Sequence, residues 1–431
     1  MHIFWFRRDL RLDDNVGLFH ALQSGEKVLP IFIFDEIILS DLPKNDARVF
    51  FIHQQLQKID NQLKKLGSGL AVFYGNPLEI FKKLTKENTV KAVFTNHDYE
   101  PYAISRDEKI KQFLNENSIA FHSYKDQVIF EKNEITKDDS LPYTVYTPYS
   151  RKWKAKLALN PIENYPSENL LSQFINHSYQ FLSLQDIGFQ APTIEVKDFV
   201  LSDDWMQEYE QIRNFPAQNG TSWISPHLRF GTVSIRKIVQ QALEISNQTF
   251  LNELIWREFF MQILWHFPHT THKSFKPQYD SIEWRNNEAE FELWCNGQTG
   301  YPLVDAGMRQ LNETGYMHNR VRMVVASFLC KHLLIDWRWG EAYFANKLLD
   351  YEQSSNVGNW QWVAGSGVDA APYFRIFNPT EQAKKFDPKA EYINQWVKDY
   401  QELSYAKPMV DHVFARERCL QVYQKGVKSS L

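Results

Sequence analysis

Short apolar runs alternate with amphipathic stretches through the first part of the chain. Residues 28–34 (VLPIFIF) contain no polar side chain, which is typical of a strand buried on both faces of a parallel sheet. Between such runs, stretches like residues 46–66 repeat apolar residues at helical spacing and stop at a glycine. The alternation predicts a doubly wound parallel α/β domain over residues 1–130, with further strands at residues 2–6, 70–74, 90–95 and 120–124.

The pattern changes twice further along the chain. From residue 131 to residue 200, prolines interrupt polar residues without any period, which predicts a long connector laid over the surface. After residue 201 no alternating pattern returns, and helical spacing rich in Trp and Phe continues to about Gln424. We therefore predict an all-helical second domain over residues 201–431.

Net charge, cysteine spacing and the N-terminal segment limit which kinds of binding site the chain can have. The chain has 431 residues and a net charge of -4, so a nucleic-acid site would need a local basic patch. Cys295, Cys330 and Cys419 lack metal-ligand spacing, and Pro268 interrupts the one histidine-rich stretch, so no metal site is expected. The apolar run at the N-terminus is too short for a signal peptide or a membrane span. A soluble cytoplasmic protein without membrane association is expected.

Residues 317–332 have the clearest helical pattern of the second domain. Asn319, Arg322 and Met323 stand at positions i, i+3 and i+4, so they share one face of that helix. An amide, a guanidinium and a thioether together suit a pocket of mixed polarity. The guanidinium needs a fixed anion, and Asp350, expected in the following helix, is the candidate.

A polar stretch follows at residues 353–359, and Trp360, Gln361 and Trp362 come directly after it. We expect a polar turn held among tryptophans, which is a suitable wall for an aromatic ligand. A tryptophan-rich helical core with an ordinary connecting loop accounts for the same residues about equally well.

Two further groups of residues carry weaker signals. Gly220 followed by Thr221 and Ser222 at a helix start suits a diphosphate, although an ordinary capped helix has the same residues. Glu253, Trp256 and Arg257 again share a helix face and suit a flipped base pair beside a phosphate. Residue types alone favour a core tryptophan with an intrahelical Glu–Arg pair.

Long strings within the second domain resemble the flavin-domain signature of the photolyase and cryptochrome family. They are TGYMHNRVRM, DWRWGEAYF, LLDYEQSSNVGNWQW and DAAPYFRIFNP. The resemblance is closest to class I cyclobutane pyrimidine dimer photolyases, and it extends from WFRRDLRLDDN at residue 5 to FDPKAEYI near residue 390. It implies that the helical domain binds FAD.

The resemblance also implies cofactor contacts. Asn356 would face N5 of the flavin and favour its reduced form, and Arg322 paired with Asp350 would flank the ring. Trp223, Ile224, Phe250 and Glu352 differ from residues common in the family. The full set of implied cofactor contacts is Tyr209, Thr221, Ser222, Trp223, Ile224, Ser225, Phe250, Asn319, Arg322, Asp350, Glu352 and Asn356.

Substrate and electron-transfer roles follow from the same resemblance. Glu253 would hydrogen-bond the pyrimidine dimer and Trp256 would stack on it. The pocket would be completed by Asn319, Met323 and Trp362, and the DNA phosphates would be met by Arg213, Arg257 and Arg320. Electrons would reach the flavin along Trp360, Trp337 and Trp284, in that order from the flavin outward.

The resemblance therefore implies a carbon-carbon lyase that repairs cyclobutane pyrimidine dimers in UV-damaged DNA, and we expect it to be a monomer. Photoexcited reduced FAD would donate an electron to a flipped-out dimer. One alternative is a cryptochrome-type blue-light receptor, although the long tail expected of it is missing. A six-four photoproduct photolyase would have paired histidines where this chain has His318-Asn319. A light-independent nucleic-acid binder would leave the tryptophans and the polar turn without a purpose.

A second, light-harvesting chromophore remains an open question. No glycine fingerprint follows any predicted strand, so dinucleotide binding in the first domain is not expected. Ala103 stands where the pterin-binding subgroup has a glutamate, which argues against folate. A deazaflavin, another flavin or no antenna are the alternatives.

Overall fold

The computed structural model describes residues 1–177, 179–218 and 220–428 and divides the chain into two compact units. The first unit contains Met1–Glu134, Trp153–Val200 and Trp223–Glu244. The second contains Ile135–Lys152, Leu201–Ser222 and the chain from Ile245 onward. The structure thus divides the chain at different points from the predicted boundaries at residues 130 and 200.

The first unit is built on a five-stranded parallel sheet in the order β3-β2-β1-β4-β5. Its strands are β1 His2–Phe6, β2 Val28–Asp35, β3 Ala71–Gly75, β4 Ala92–Asn96 and β5 Ala120–Tyr124. The helices that follow the strands are α1 Val16–Gln23, α2 Glu36–Leu39, α3 Ala47–Lys64, α4 Pro77–Glu87 and α5 Pro101–Glu116. All eight residues of β2 are buried, as its apolar sequence predicts. The predicted doubly wound α/β fold is confirmed.

Buried ion pairs also hold the first unit together. The Arg11 guanidinium donates to both oxygens of Asp126 at 2.8 Å, and Arg236 donates to the same carboxylate at 2.9 Å. Arg236 also pairs with Asp14. All four side chains are almost fully buried. The two arginines hold the pKa of Asp126 below its usual value, although burial acts in the opposite direction.

The predicted connector contains regular structure that the sequence pattern did not show. Helix α6 spans Tyr146–Leu159, and a 3-10 helix spans Ser167–Gln173. Trp153 of α6 is buried against Phe130 at 5.6 Å between ring centroids, and Phe174 forms a bridge with Val28 beside β2. Residues 131–200 therefore contain more regular structure than a surface connector implies, because long-range packing orders a segment whose local pattern is broken by prolines.

The remaining helices are α7 Asp203–Ile212, α8 Ser225–Phe230, α9 Ile235–Glu244, α10 Thr249–His266, α11 Glu288–Cys295, α12 Pro302–Thr314, α13 Asn319–Ser327, α14 Trp337–Lys347, α15 Gln353–Ala364, α16 Pro379–Phe386, α17 Glu391–Trp396 and α18 His412–Lys428. Two 3-10 helices span Pro268–Thr271 and Pro277–Ser281. The described residues after 201 contain no strand, which confirms the predicted helical character. No helix among the described residues is long and apolar enough to cross a membrane.

Helix α15 contradicts the predicted polar turn at residues 353–359. The whole segment is helical, and Ser354, Asn356 and Val357 are buried. A Cβ at Gly358 would lie 2.3 Å from the ring of Phe260, so this glycine lets α15 lie directly against α10. Tertiary packing thus outweighs the weak helix propensity of Ser, Asn and Gly.

A π-helical turn, Phe328–His332, continues α13 and buries a lysine. The Lys331 ammonium donates to the carbonyl oxygens of Ala364 and Tyr373 at 2.9 and 3.2 Å and lies 3.9 Å from the ring centroid of Tyr423. Burial lowers the pKa of Lys331 to about 8. The lysine therefore ties the end of α15 to the core of the second unit.

Candidate active site

The predicted pairing of Arg322 with Asp350 is present in the second unit. Nη2 of Arg322 donates to both carboxylate oxygens of Asp350 at 3.1 and 2.9 Å, and Nε donates to the carbonyl of Met317 at 2.8 Å. Asp350 lies in the turn after α14 rather than in a helix, which corrects its expected position. The pair places one fixed positive and one fixed negative group side by side on a partly exposed surface.

Asn356 is held by a residue that the sequence analysis missed. Its Nδ2 donates to the carboxylate of Glu341 at 2.8 Å and to the backbone carbonyl of the same residue at 3.1 Å. Burial raises the pKa of the Glu341 carboxyl, and the hydrogen bond from Asn356 opposes that shift. Because both amide hydrogens are engaged, the side-chain oxygen of Asn356 is the atom that can accept from a ligand. No spacing rule links residues on α14 and α15, so the sequence carried no signal for this contact.

Glu253 on α10 forms an ion pair with Arg213, the residue that caps the C-terminal end of α7. About a third of each side chain is exposed. Burial raises the pKa of the Glu253 carboxyl, while the Arg213 guanidinium lowers it. Arg213 also lies 5.7 Å from the ring centroid of Tyr209, and burial together with Glu253 raises the pKa of that phenol. The structure therefore joins two predicted site residues in one contact that was not foreseen.

Trp256 lies one turn further along α10 and is backed by a second aromatic ring. Tyr146 of α6 stacks on its indole with centroids 3.7 Å apart and planes inclined by 6°. The hydroxyl of Tyr146 donates to the carbonyl of Asn252 at 2.9 Å, and burial raises its pKa to about 12. Trp256 and Arg257 remain partly exposed. Tyr146 was missed because it lies in the segment taken for a connector.

The start of α13 gathers positive charge. Nδ1 of His318 accepts from the backbone N–H of Arg320 at 3.1 Å, so a neutral ring has its proton on Nε2. Burial, together with Arg320, Arg322 and Arg213, lowers the pKa of His318 to about 4. The Arg320 guanidinium donates to the side-chain oxygen of Asn214 at 2.6 Å. Burial lowers the pKa of Arg320, and the charges of Arg213 and Arg375 lower it further. A local basic patch therefore exists in a chain whose net charge is negative.

The remaining predicted pocket residues lie near these helices. Asn319 is exposed in the first turn of α13, and Met323 of the same helix is partly exposed with its sulfur 3.7 Å from Nη1 of Arg320. Trp362 is partly exposed near the end of α15. These three side chains are accessible to a ligand.

The three tryptophans of the predicted relay belong to one hydrophobic core. Trp360 and Trp337 are almost fully buried, whereas Trp284 packs against that core and is partly exposed. Phe344 and Trp294 lie against Trp360, with ring centroids 5.0 and 6.3 Å away. Trp284, the outermost tryptophan of the predicted relay, is thus the one of the three that reaches the surface.

The residues predicted to hold a diphosphate fall on both sides of a unit boundary. Thr221 and Ser222 belong to the second unit, whereas Trp223, Ile224 and Ser225 belong to the first. Trp223 has a φ of 59°, and the Lys197 ammonium lies 4.3 Å from its ring centroid. Helix α8 begins at Ser225, after Thr221 and Ser222 rather than at them, and it has only six residues, so its dipole is weak.

Two buried polar atoms of the second unit suit a bound polar cofactor. The hydroxyl of Ser354 and Nε2 of His318 are buried and have no hydrogen-bond partner among the residues that the structure describes. Such groups are costly to bury unless a ligand or water satisfies them. Glu352 is buried at the N-cap of α15, and Phe250 packs against Trp205 and Tyr209. The donor set fits a flavin dinucleotide.

Comparison with known proteins gives a consistent result along the chain. A DNA photolyase family profile matches residues 2–167, and a profile for the FAD binding domain of DNA photolyase matches residues 250–404. The deoxyribodipyrimidine photo-lyase of Agrobacterium fabrum is 35% identical over 99% of this chain and 98% of that protein. A bacterial class III photolyase from Agrobacterium tumefaciens has a similar structure, with a TM-score of 0.87 and 34% identity over 99% of this chain and 97% of that one. An archaeal photolyase from Sulfolobus tokodaii with two FAD molecules has a TM-score of 0.83 and 35% identity, covering 98% and 99% of the two chains.

Proposed function

This chain belongs to the DNA photolyase family, and we propose that it is a deoxyribodipyrimidine photo-lyase that uses FAD and light to split cyclobutane pyrimidine dimers in DNA. One observation carries the proposal beyond family membership. A carboxylate, Glu253, and an indole backed by a second ring, Trp256, lie partly exposed on one helix beside a basic patch. A flat surface, a hydrogen-bonding group and cations are what an extruded pyrimidine pair and its phosphates require.

The cofactor would be held by residues of several helices. Arg322 and Asp350 would flank the flavin ring and balance its charge, and the side-chain oxygen of Asn356, oriented by Glu341, would face N5. When bound, FAD supplies the electron that light transfers to the substrate and that returns after the ring bonds break. Further proposed contacts are Tyr209, Thr221, Ser222, Trp223, Ile224, Ser225, Phe250, Asn319 and Glu352.

On the substrate side, Trp256 would stack on the dimer and Glu253 would hydrogen-bond it. Asn319, Met323 and Trp362 would form the rest of the pocket. Arg213, Arg257 and Arg320 would contact phosphates, which predicts binding that is sensitive to salt and largely independent of sequence. Trp360, Trp337 and Trp284 would return the flavin to its reduced form.

Irradiation of the purified protein with an oligonucleotide containing one thymine dimer tests the proposal. Intact thymines should reappear in light and not in darkness. Bound FAD without turnover would instead favour a signalling receptor, and repair of a six-four photoproduct alone would favour that other photolyase. A protein that binds no flavin would contradict the proposal altogether.

We further propose a monomer that works in the cytoplasm. Light scattering after gel filtration would test the oligomeric state, and cell fractionation would test the location. The question of an antenna is answered by the absorption of the purified protein after the contribution of FAD is subtracted, since a deazaflavin and a second flavin absorb differently.

A further inference from the structure

Arg213 takes part in two interactions that compete for the same guanidinium. In the structure it is the ion-pair partner of Glu253. In the proposed function it binds a DNA phosphate. Both partners are anions that Arg binds through the same planar set of N–H groups. A phosphate of bound DNA and the Glu253 carboxylate are therefore alternatives for this side chain.

The protonation state of Glu253 matters for its proposed task. An ionised carboxylate only accepts hydrogen bonds, whereas a protonated one can also donate. A dimer that has received an electron is negatively charged, so an ionised Glu253 beside it would repel the added charge. A neutral acid that donates to a dimer carbonyl would stabilise the same charge. The ion pair with Arg213 thus favours the form of Glu253 that is less suited to catalysis.

We propose that dimer-containing DNA takes Arg213 away from Glu253, and that the released carboxylate then binds a proton from solvent. The guanidinium keeps its charge and moves to a phosphate. The complex gains one proton, and Glu253 becomes a hydrogen-bond donor when substrate arrives. Arg213 is then a positioning residue that couples substrate binding to the chemistry. This inference rests on the proposed function.

The groups around Glu253 support this exchange. Tyr209 of α7 and Tyr146 of α6 interact with Glu253, and both phenols stay neutral because burial raises their pKa. Arg213 is the cation that opposes the effect of burial on the pKa of Glu253. Burial and the charge of Arg213 both lower the pKa of Arg320 and of the neutral His318, which stand at the start of α13. Neighbouring positive charges favour transfer of Arg213 to an incoming phosphate, and its departure leaves burial to raise the pKa of Glu253.

Calorimetric titration in darkness measures the proton directly. FAD-containing protein is titrated with the thymine-dimer oligonucleotide in two buffers of different ionisation enthalpy, at several pH values above the usual pKa of a carboxyl, since burial raises the pKa of Glu253. We expect the wild-type protein to take up a large fraction of a proton per oligonucleotide. Glu253→Gln should lose that uptake. Arg213→Gln should show a smaller uptake than wild type, because its Glu253 lacks the guanidinium before DNA arrives.

Arg309→Gln provides a matched control. It removes another Arg–carboxylate pair of the second unit, with Asp399 at 2.6 Å, and it should keep the wild-type uptake. Equal uptake by wild type and Glu253→Gln would overturn the exchange. The same samples are assayed for repair in light, which separates the two ideas. Repair without Glu253-dependent uptake refutes the exchange alone, whereas absence of both repair and dimer binding refutes the proposed function.

Discussion

Gly340 offers a direct test of how the second unit positions Trp360. A Cβ added at this glycine of α14 would lie 2.1 and 2.4 Å from two carbons of the Trp360 ring and 2.7 Å from a methyl carbon of Leu329. Carbon atoms do not approach that closely, so Gly340→Ala must displace the indole or separate α14 from α15. Phe344 and Trp294 enclose Trp360 on other sides, which restricts where the ring can go.

Two opposing effects set the expected size of the change. Overpacking a dense core costs about 1–3 kcal/mol, while alanine is favoured over glycine in a helix by about 1 kcal/mol. The net loss of stability should therefore reach about 2 kcal/mol. For a unit of roughly 200 residues this corresponds to a decrease in Tm of about 4–8 °C.

Thermal unfolding of the FAD-containing protein measures the loss, with Gly426→Ala as the control. Gly426 also lies in a helix, but its added Cβ would approach no closer than 3.1 Å. Photoreduction of the flavin by an external donor should be slower in Gly340→Ala, since Trp360 is the proposed first step of the relay, while DNA binding in darkness stays unchanged. If Gly340→Ala unfolds at the temperature of Gly426→Ala, the described packing of α14 on Trp360 is incorrect.

Three other changes test separate parts of the molecule. Asp126→Asn leaves Arg11 and Arg236 without their shared carboxylate, and it should lower the free energy of unfolding in urea by about 3–5 kcal/mol. As its control, Asp13→Asn breaks only the exposed pair with Lys237 and should lower it by about 1 kcal/mol or less. Trp256→Ala should weaken dark binding of the dimer oligonucleotide by about 1–3 kcal/mol, the contribution of one stacked base, with unchanged FAD content; loss of FAD would contradict its substrate role. Lys331 has a folded pKa of about 8, below its unfolded value, so the unfolded chain binds more protons between these values and the contribution of Lys331 to stability rises with pH from about 8 to 10. Lys331→Met should remove this part of the pH dependence. If the free energy of unfolding of the two proteins changes equally with pH over this range, Lys331 is not a buried lysine with a lowered pKa.

Local patterns predicted the parts of the molecule that depend on nearby residues. Apolar runs located the five strands, and the spacing of Asn319, Arg322 and Met323 placed them on one helix. The Arg322–Asp350 pair was found because a partly buried guanidinium requires an anion.

The errors have a common physical cause. Helix α15 and helix α6 both carry residues with weak or interrupted helix signals, and both are ordered by contacts with distant residues, such as Gly358 with Phe260 and Tyr146 with Trp256. Glu341 and Tyr146 were missed for the same reason. Their positions depend on which helices pack together, and a single sequence does not specify that.

The division of the chain has a consequence for how the protein is made. The backbone passes between the two units five times, and α6 contributes residues to both. A ribosome must therefore release about 244 residues before the first unit has all its parts, and a fragment cut at residue 130 or 200 would lack pieces of that unit. Expression of one unit alone, or exchange of a unit between relatives, therefore requires cuts at all five crossings and not at a single junction.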